Sequence, residues 1–364
     1  MLSPDAPLVL LQHDGLDNLS GKTGLTLLRY RPGPILAVID PSQAGRSLEA
    51  ITGIRRAVPV VGSMAEALTQ APELAAGAGV AVVGLAPSGG RLPAAMHSDL
   101  VSALEAGLSV ASGLHSRLGD DPSLAARLQP GRFIWDLRQE PAHLPIGAAR
   151  AAALPGHRLL AVGSDMAVGK MSACLELQRA ALAAGLDARF VATGQAGVLI
   201  AGRGLALDAV RVDYAAGAVE QAVLQEAAGA DERTLVLVEG QGSFAHPGST
   251  ATLPLLRGSQ PTGLLLVHRA GQRSIRHLPQ IPVPPLPQLI ATLEAMAALA
   301  RPSDAPRPAP RVLAIALNTG HLEAAAAAEA LADTAQLTGL PCHDPVRDGA
   351  SALLHELQKA LQEG

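Results

Sequence analysis

The clearest indication of the fold comes from residues 159–172, which read Leu159-Leu160-Ala161-Val162, then Gly163-Ser164-Asp165-Met166-Ala167-Val168-Gly169-Lys170, then Met171-Ser172. The first four residues form a short apolar run typical of a buried strand, and a helix-length segment starts at Lys170. A glycine-rich loop between them lets successive N–H groups point inward, where the helix dipole adds positive charge. The stretch therefore predicts a phosphate-binding P-loop, with an ordinary strand-to-helix turn as the alternative.

Two departures from the common motif indicate what the loop does. Five residues separate Gly163 from Gly169, where the common pattern has four. Met171 occupies the position of the Ser or Thr whose hydroxyl ligates Mg²⁺, and Ser172 lies about 100° further round the helix. We therefore expect the loop to bind a diphosphate through Lys170 without a metal and without necessarily hydrolysing it. The predicted ligand-binding residues are Gly163, Ser164, Asp165, Met166, Ala167, Val168, Gly169, Lys170, Met171 and Ser172.

A second apolar run, Leu235–Val238, ends in a carboxylate and a glycine-rich turn. Ligands of parallel sheets bind outside the carboxyl ends of strands, so Glu239 and the P-loop are expected to face one crevice. Glu239 is predicted to act as a general base or to orient a magnesium-bound water, the alternative being a structural hydrogen-bonded Glu. His246 is either a proton shuttle or a turn residue. The predicted catalytic residues are Glu239 and His246, and the predicted substrate-binding residues are Gln195, Gly240, Gln241, Gly242 and Ser243.

Other polar residues lie after predicted strands, and most of them allow both a functional and a structural interpretation. Thr193-Gly194-Gln195-Ala196-Gly197 is interpreted as a polar turn at the same sheet edge. Asp208 and Asp213 either face the crevice or cap the helix near Ala216. Asn318 either contacts a base or completes a turn.

The first part of the chain contains a second lysine loop, Gly15-Leu16-Asp17-Asn18-Leu19-Ser20-Gly21-Lys22-Thr23, with the same glycine spacing. Pro32 follows so soon that little more than two helical turns are left, and we do not favour a phosphate there. Asp40 and Gly89-Gly90 have Rossmann-like positions after strands. A GxGxxG fingerprint is absent from the sequence, so the pattern does not favour a dinucleotide site.

Composition limits the class of protein. The chain has 364 residues, of which 48% are apolar and 2% aromatic, with a net charge of −4. This length favours two domains, and the small-residue core suits α/β layers. The charge pattern and the scarcity of aromatic residues argue against nucleic acid as a partner. Two lone cysteines, no basic leader and no apolar stretch of about 18 residues predict a cytoplasmic protein with no membrane partner.

Apolar runs alternate with helix-length segments, which predicts parallel sheets with helical crossovers. We predict a Rossmann-like N-terminal domain (residues 1–145) followed by a doubly wound P-loop NTPase-like domain (residues 146–364). The proline-rich stretches 278–287 and 302–310 are predicted to be extended connections, with peptide recognition as the alternative. Strands are predicted at 35–39, 58–61, 80–85, 108–111, 133–135, 159–162, 189–192, 235–238, 264–267 and 312–317, and helices at 93–106, 170–184, 216–228, 288–300, 322–337 and 349–362.

Several of these motifs together resemble domain-of-unknown-function family 1611. The P-loop, Thr193–Gly197 and Glu239–Ser243 with His246-Pro247 carry the resemblance in the second part. In the first part it is carried by Gly21-Lys22-Thr23, Ile39-Asp40, Gly45, Gly89-Gly90-Arg91-Leu92-Pro93, Gly113-Leu114-His115 and Asp136-Leu137-Arg138. The resemblance implies a Rossmann-like domain followed by a P-loop domain, and it makes Met171 part of the family pattern.

Members of the family include D-glutamate N-acetyltransferases, so the resemblance implies acetyl transfer from acetyl-CoA to the amino group of D-glutamate. Such enzymes belong to D-amino-acid catabolism, where a partner dehydrogenase handles the acetylated product. Glu239 would then deprotonate the substrate ammonium, and backbone donors of residues 240–243 would face the developing oxyanion. Neither Ser243 nor Cys174 has a nucleophile-activating context, which favours direct transfer. Arg203, Arg211, Arg257 and Arg269 are candidates for binding the substrate carboxylates.

Two other functions stay open from the sequence. One is an ATP- and Mg-dependent ligase or kinase resembling dethiobiotin synthetase, which has the same stretched loop. The other is a non-catalytic nucleotide-binding module in which Met171 marks lost hydrolysis. A homo-oligomer with small-molecule ligands is expected in each case.

Overall fold

The computed structural model of the chain describes residues 2–76, 79–85 and 92–363. The chain divides into two compact units, one formed by residues 1–139 and 195–206 and the other by residues 140–194 and 207–364. The sequence prediction had two continuous domains that meet at residue 145. In the structure the first unit also contains residues 195–206, which lie within the predicted second domain. The predicted Gly89-Gly90 motif lies outside the described residues.

The first unit is built on a parallel sheet. Its strands in the described residues are β1 (Leu8–Leu11), β2 (Ile35–Ile39), β3 (Val60–Val61), β4 (Val80–Val83), β5 (Ser109–Ser112) and β6 (Ile134–Asp136). They lie in the order β3-β2-β1-β4-β5-β6, all parallel. This is the order of a doubly wound sheet, in which the chain moves outward from β1 and then from β4. The predicted Rossmann-like fold is confirmed.

Helices and short 3₁₀ turns cover this sheet. The helices are α1 (Lys22–Tyr30), α2 (Leu48–Thr52), α3 (Met64–Gln70), α4 (Glu73–Ala76), α5 (Ala94–Glu105) and α6 (Pro122–Ala125), and the 3₁₀ turns are Leu19–Gly21 and Pro41–Gln43. Aliphatic side chains of the strands, α3 and α5 form one buried core. The helices bury the sheet, as a parallel sheet requires.

The central strand β1 was absent from the sequence prediction. Leu8–Leu11 is a four-residue run that follows prolines at positions 4 and 7, and its side chains are all buried. The run is too short for a periodicity signal. It becomes a strand because β2 and β4 both pair with it in parallel.

The second unit contains a larger set of elements. The strands are β7 (His157–Gly163), β8 (Ala188–Val191), β9 (Leu235–Val238), β10 (Gly263–Arg269), β11 (Ser274–Ile275), β12 (Leu278–Pro282), β13 (Val312–Asn318) and β14 (Cys342–His343). The helices from here on are α7 (Lys170–Ala183), α8 (Gln195–Ala201), α9 (Val212–Glu226), α10 (Thr252–Ser259), α11 (Leu286–Ala298), α12 (Ala324–Thr338) and α13 (Ser351–Glu363), with 3₁₀ turns at Arg150–Ala153 and Leu207–Ala209.

The main sheet of this unit has the order β14-β13-β10-β7-β9-β8, all parallel. β7 therefore lies between β9 and β10, and the loops after these three strands meet at one edge of the sheet. The predicted doubly wound P-loop domain is confirmed. Of the helices given above, α8 does not belong to this domain, because it is part of the first unit and packs on α1.

Three local predictions were wrong or incomplete. Residues 195–197 were predicted to continue a polar turn but begin α8. Helix α10 was not predicted because it contains Pro254 and Gly258, which lower helix propensity. Part of the proline-rich stretch 278–287 is not a free connection, since β12 pairs antiparallel with β11. Residues 302–310 contain no helix or strand in the structure described, as predicted.

In the described parts of the chain, no helix combines the length and the apolar character that a membrane crossing needs.

Candidate functional site

The loop between β7 and α7 has the backbone geometry of an anion site. Ala167 and Gly169 have left-handed conformations, with φ of 55° and 115°, and glycine adopts this region without strain. The N–H groups of residues 167–172 have no acceptor among the described residues. They belong to the loop and the first turn of α7, where orphan donors and the helix dipole favour negative charge. This arrangement suits a phosphate group.

Lys170 lies inside the loop. Its side chain is buried, and its Nζ donates to the Asp165 carbonyl oxygen at 2.8 Å. A Cβ atom on Gly163 would lie 2.6 Å from this Nζ, so the loop closes around the lysine only with glycine there. Burial lowers the pKa of Lys170 to about 8, against the opposing charges of Asp165 and Glu239. The ammonium is charged at neutral pH and keeps two further donors.

Glu239 follows β9 and is 3% exposed. Its Oε2 accepts the N–H groups of Thr193 at 2.9 Å and Gly194 at 3.1 Å, and its Oε1 accepts Gln241 Nε2 at 3.1 Å. Burial raises the pKa of Glu239 to about 7, although these hydrogen bonds and Lys170 favour the carboxylate. A carboxyl group with a pKa near neutrality and a lone pair left on Oε1 can accept a proton.

Residues at the ends of β10 and β13, and in the segment after β10, hold the P-loop from the other side. His268 Nδ1 is 2.7 Å from Ser164 Oγ, and burial lowers the pKa of His268 to about 4, which keeps the ring neutral. Asp165 Oδ2 accepts Gln272 Nε2 at 2.6 Å and the Arg276 N–H at 2.7 Å.

Asn318 holds the second half of the loop, because its Nδ2 donates to the Val168 carbonyl at 3.1 Å while its Oδ1 accepts the Gly320 N–H at 3.2 Å. Both polar ends of Asn318 are therefore engaged, which supports the interpretation as a turn residue.

Sequence reasoning missed His268, Gln272 and Arg276. The signal for His268 was present, because it ends the apolar run of β10 just as Glu239 follows β9. Gln272 and Arg276 act through a hairpin that has no local sequence signal.

Comparison with family models identifies both parts of the chain. Residues 41–140 match the model described as the Rossmann-like domain of domain-of-unknown-function family 1611, N-terminal part. Residues 145–354 match the model described as the P-loop domain of the same family. The chain belongs to domain-of-unknown-function family 1611. The resemblance stated from the motifs is thereby confirmed.

The similarity to other proteins covers nearly the whole chain. A protein from Tritonibacter scottomollicae named D-glutamate N-acetyltransferase is 34% identical over 355 residues, which cover 97% of this chain and 98% of the relative. One of the same name from a Pseudoalteromonas species is 32% identical over 353 residues, covering 96% and 98%. The crystal structure of a family 1611 protein from Anabaena variabilis ATCC 29413 has 49% identity and a TM-score of 0.89, covering 99% of this chain and 100% of that one.

Three other residues predicted to be catalytic or substrate-binding, His246, Ser243 and Gln195, already form hydrogen bonds within the protein. His246 is fixed in a turn, where its Nδ1 accepts the Gly248 N–H at 3.0 Å. The Ser243 N–H is already bonded to Ser249 Oγ at 3.1 Å, so it is not available to an oxyanion. Gln195 belongs to the first unit, where its side-chain carbonyl accepts a hydrogen bond from Arg138.

The four arginines predicted as candidates for binding the substrate carboxylates differ in their partners and positions. Arg211 is paired with Glu140 at 2.9 Å and lies over the Tyr214 ring, and Arg203 belongs to the first unit. Arg257 is an exposed residue of α10. Arg269, at the carboxyl end of β10, is the candidate that shares the sheet edge of the P-loop.

The two aspartates predicted either to face the crevice or to cap a helix are also placed. Asp208 lies in a 3₁₀ turn, and Asp213 lies in the first turn of α9. A carboxylate in a first turn interacts favourably with the helix dipole.

Cys174 is buried in α7, and burial raises the pKa of its thiol far above the ordinary range. Its Sγ is 3.7 Å from the Val238 carbonyl oxygen. A thiol in this state is a poor nucleophile, which agrees with the expectation of direct transfer.

Proposed function

We propose that this protein transfers the acetyl group of acetyl-CoA to the amino nitrogen of an acidic D-amino acid, D-glutamate, as a step of D-amino-acid catabolism. The observation that carries the proposal is the buried Glu239 beside a P-loop whose lysine is followed by methionine. The two relatives named D-glutamate N-acetyltransferase support the acceptor and the reaction.

The P-loop residues fit the diphosphate of coenzyme A. The unpartnered N–H groups of residues 167–172, counted among the described residues, and the ammonium of Lys170 would hold it. A diphosphate bound in this way needs no metal ligand at Met171, since the charge is met by amides, the helix dipole and the lysine. Gly163 leaves the lysine room to reach it.

Residues around Glu239 would perform the proton transfer. Bound coenzyme A supplies the acetyl group as a thioester, which is activated toward an amine. Glu239 would take a proton from the substrate ammonium at Oε1, because only the free amine is nucleophilic. The amine nitrogen would then bond to the thioester carbonyl carbon as the carbon–sulfur bond breaks, and the proton lost by the nitrogen would leave with coenzyme A as its free thiol. The N–H groups of Gly240 and Gln241, which have no acceptor in the described part of the chain, would face the negative charge that develops on the carbonyl oxygen.

The direct test is an assay of thiol release from acetyl-CoA with D-glutamate, L-glutamate or no acceptor, run beside an assay of ATP hydrolysis with Mg²⁺. We expect thiol release that depends on D-glutamate and an acetylated product identified by mass spectrometry. No acetylation of any acidic amino acid, together with thermal stabilisation by Mg·ATP and not by acetyl-CoA, would favour the ligase or kinase. Stabilisation by nucleotide without turnover would favour the binding module.

A further inference from the structure

The hairpin formed by β11 and β12 is attached directly to the P-loop. Asp165 is fully buried, and its carboxylate accepts the Gln272 side chain and the Arg276 N–H from the hairpin. Ile275 is also buried at 1% exposure. These contacts fix residues 269–282, which we term the basic hairpin, beside the first half of the loop.

The charge of this region is one-sided. Between Glu239 and Glu294 the sequence contains no acidic residue but four arginines, at positions 257, 269, 273 and 276. Arg269, Arg273 and Arg276 are exposed, and their side chains have no partner among the described residues. Four other arginines of the unit, Arg150, Arg189, Arg211 and Arg307, are paired with carboxylates, and three more, Arg158, Arg301 and Arg347, donate to backbone carbonyl oxygens. The hairpin thus presents unneutralised guanidinium groups beside an anion site, where they attract further negative charge.

The sheet order places the hairpin and the carboxylate on opposite sides of the loop. β7 lies between β9, which Glu239 follows, and β10, which the hairpin follows. In coenzyme A the diphosphate joins two arms, the acyl-bearing pantetheine and the 3′-phosphorylated adenosine. If the diphosphate lies on the P-loop and the acyl arm runs toward Glu239, the adenosine arm runs toward β10.

We infer that the basic hairpin binds the 3′-phosphate of coenzyme A through Arg273 and Arg276, with Arg269 adding charge, and so selects coenzyme A over dephospho-coenzyme A and nucleotides. The inference rests on the proposed function, because it takes acetyl-CoA as the ligand. Arginine suits this role because its planar guanidinium forms paired hydrogen bonds with phosphate oxygens. Recognition by the hairpin adds to that by the P-loop, which contacts only the diphosphate.

The test is calorimetric titration of the full-length protein with coenzyme A and with dephospho-coenzyme A. We expect the wild type to bind coenzyme A at least about tenfold more tightly, as one charge-assisted contact provides. In the double variant Arg273→Ala/Arg276→Ala this ratio is expected to fall to about one, with the affinity for dephospho-coenzyme A unchanged. The matched control is Arg311→Ala, an exposed arginine immediately before β13 at the opposite edge of the sheet. It is expected to keep the wild-type ratio.

Three results would overturn the inference and leave the proposed function intact. In the first, the wild type binds both forms equally. In the second, the double variant loses affinity for both forms alike, which would assign the arginines to the diphosphate or to loop shape. In the third, the ratio is kept while the KM for D-glutamate rises, which would assign them to the substrate carboxylates. If neither form of coenzyme A binds, the proposed function itself fails.

Discussion

The two lysine loops of this chain have the same glycine spacing but different interiors. In the first unit, residues 12–21 join β1 to α1 and span ten positions, whereas residues 164–169 join β7 to α7 and span six. In the longer loop a Cβ on Gly21 would lie 2.0 Å from the Gly15 carbonyl oxygen, because the loop folds against its own backbone. Lys22 is exposed, while Lys170 is buried.

Protein groups occupy the interior of the first loop. Gln12 Nε2 donates to the Gly21 carbonyl at 3.1 Å, and Asp40 accepts the N–H groups of Asp14 at 3.1 Å and Leu16 at 3.3 Å. Amides that already have acceptors are not available to a phosphate. Asp40 is likewise engaged, which removes the residue that would bind a ribose in a dinucleotide fold. Glycine spacing alone therefore does not define a P-loop, because the loop must also leave its backbone donors unpaired.

The largest difference is expected when the buried carboxylate near each loop, Glu239 or Asp40, is replaced by its amide. Glu239→Gln is expected to lower kcat for acetyl transfer by about 10²–10⁴, the usual contribution of a general base. Asp40→Asn is expected to leave kcat within a few-fold but to destabilise the fold by about 1–3 kcal/mol, because a buried acceptor is lost. Turnover and denaturant midpoints measure the two effects. Unchanged turnover in Glu239→Gln would remove the assignment of the base.

The lysines give the next largest contrast. Lys170→Ala is expected to weaken binding of acetyl-CoA by about 10- to 100-fold, the effect of losing a charge-assisted contact to the diphosphate. Lys22→Ala in the other loop is expected to leave the affinity within about twofold. Titration of both variants with acetyl-CoA decides the matter. Equal losses would mean that the two loops do not differ as their interiors indicate.

The most gradual effect concerns pH, where each pH unit is expected to change the rate by no more than about tenfold. Glu239 accepts a proton only as a carboxylate, and its pKa is raised to about 7 by burial. Acidification below pH 7 protonates it, so kcat/KM for D-glutamate is expected to fall about tenfold per pH unit there and to level off above. The residual activity of Glu239→Gln serves as the control and is expected to lack this step. A wild-type profile that is flat between pH 5 and 7 would contradict the raised pKa.

Much of the candidate site was predictable because its signals are local. Strand, glycine loop and helix are adjacent between residues 159 and 172, and Glu239 directly follows an apolar run. The role of Asp165 was predicted only as part of the loop, since its partners Gln272 and Arg276 are more than 100 residues away. Arg211 illustrates the opposite failure. It was proposed to bind the substrate carboxylates, because nothing in the neighbouring sequence indicates its ion pair with Glu140.

The sequence by itself determined the α/β class, the P-loop and the family, because these depend on periodicity and on motifs of a few neighbouring residues. Long-range contacts determine that Leu8–Leu11 is a central strand, that protein groups fill one lysine loop but not the other, and which arginines are neutralised. Those outcomes depend on which distant groups approach a given donor or charge. Strand pairing and burial set such approaches, and no local pattern of residues contains them.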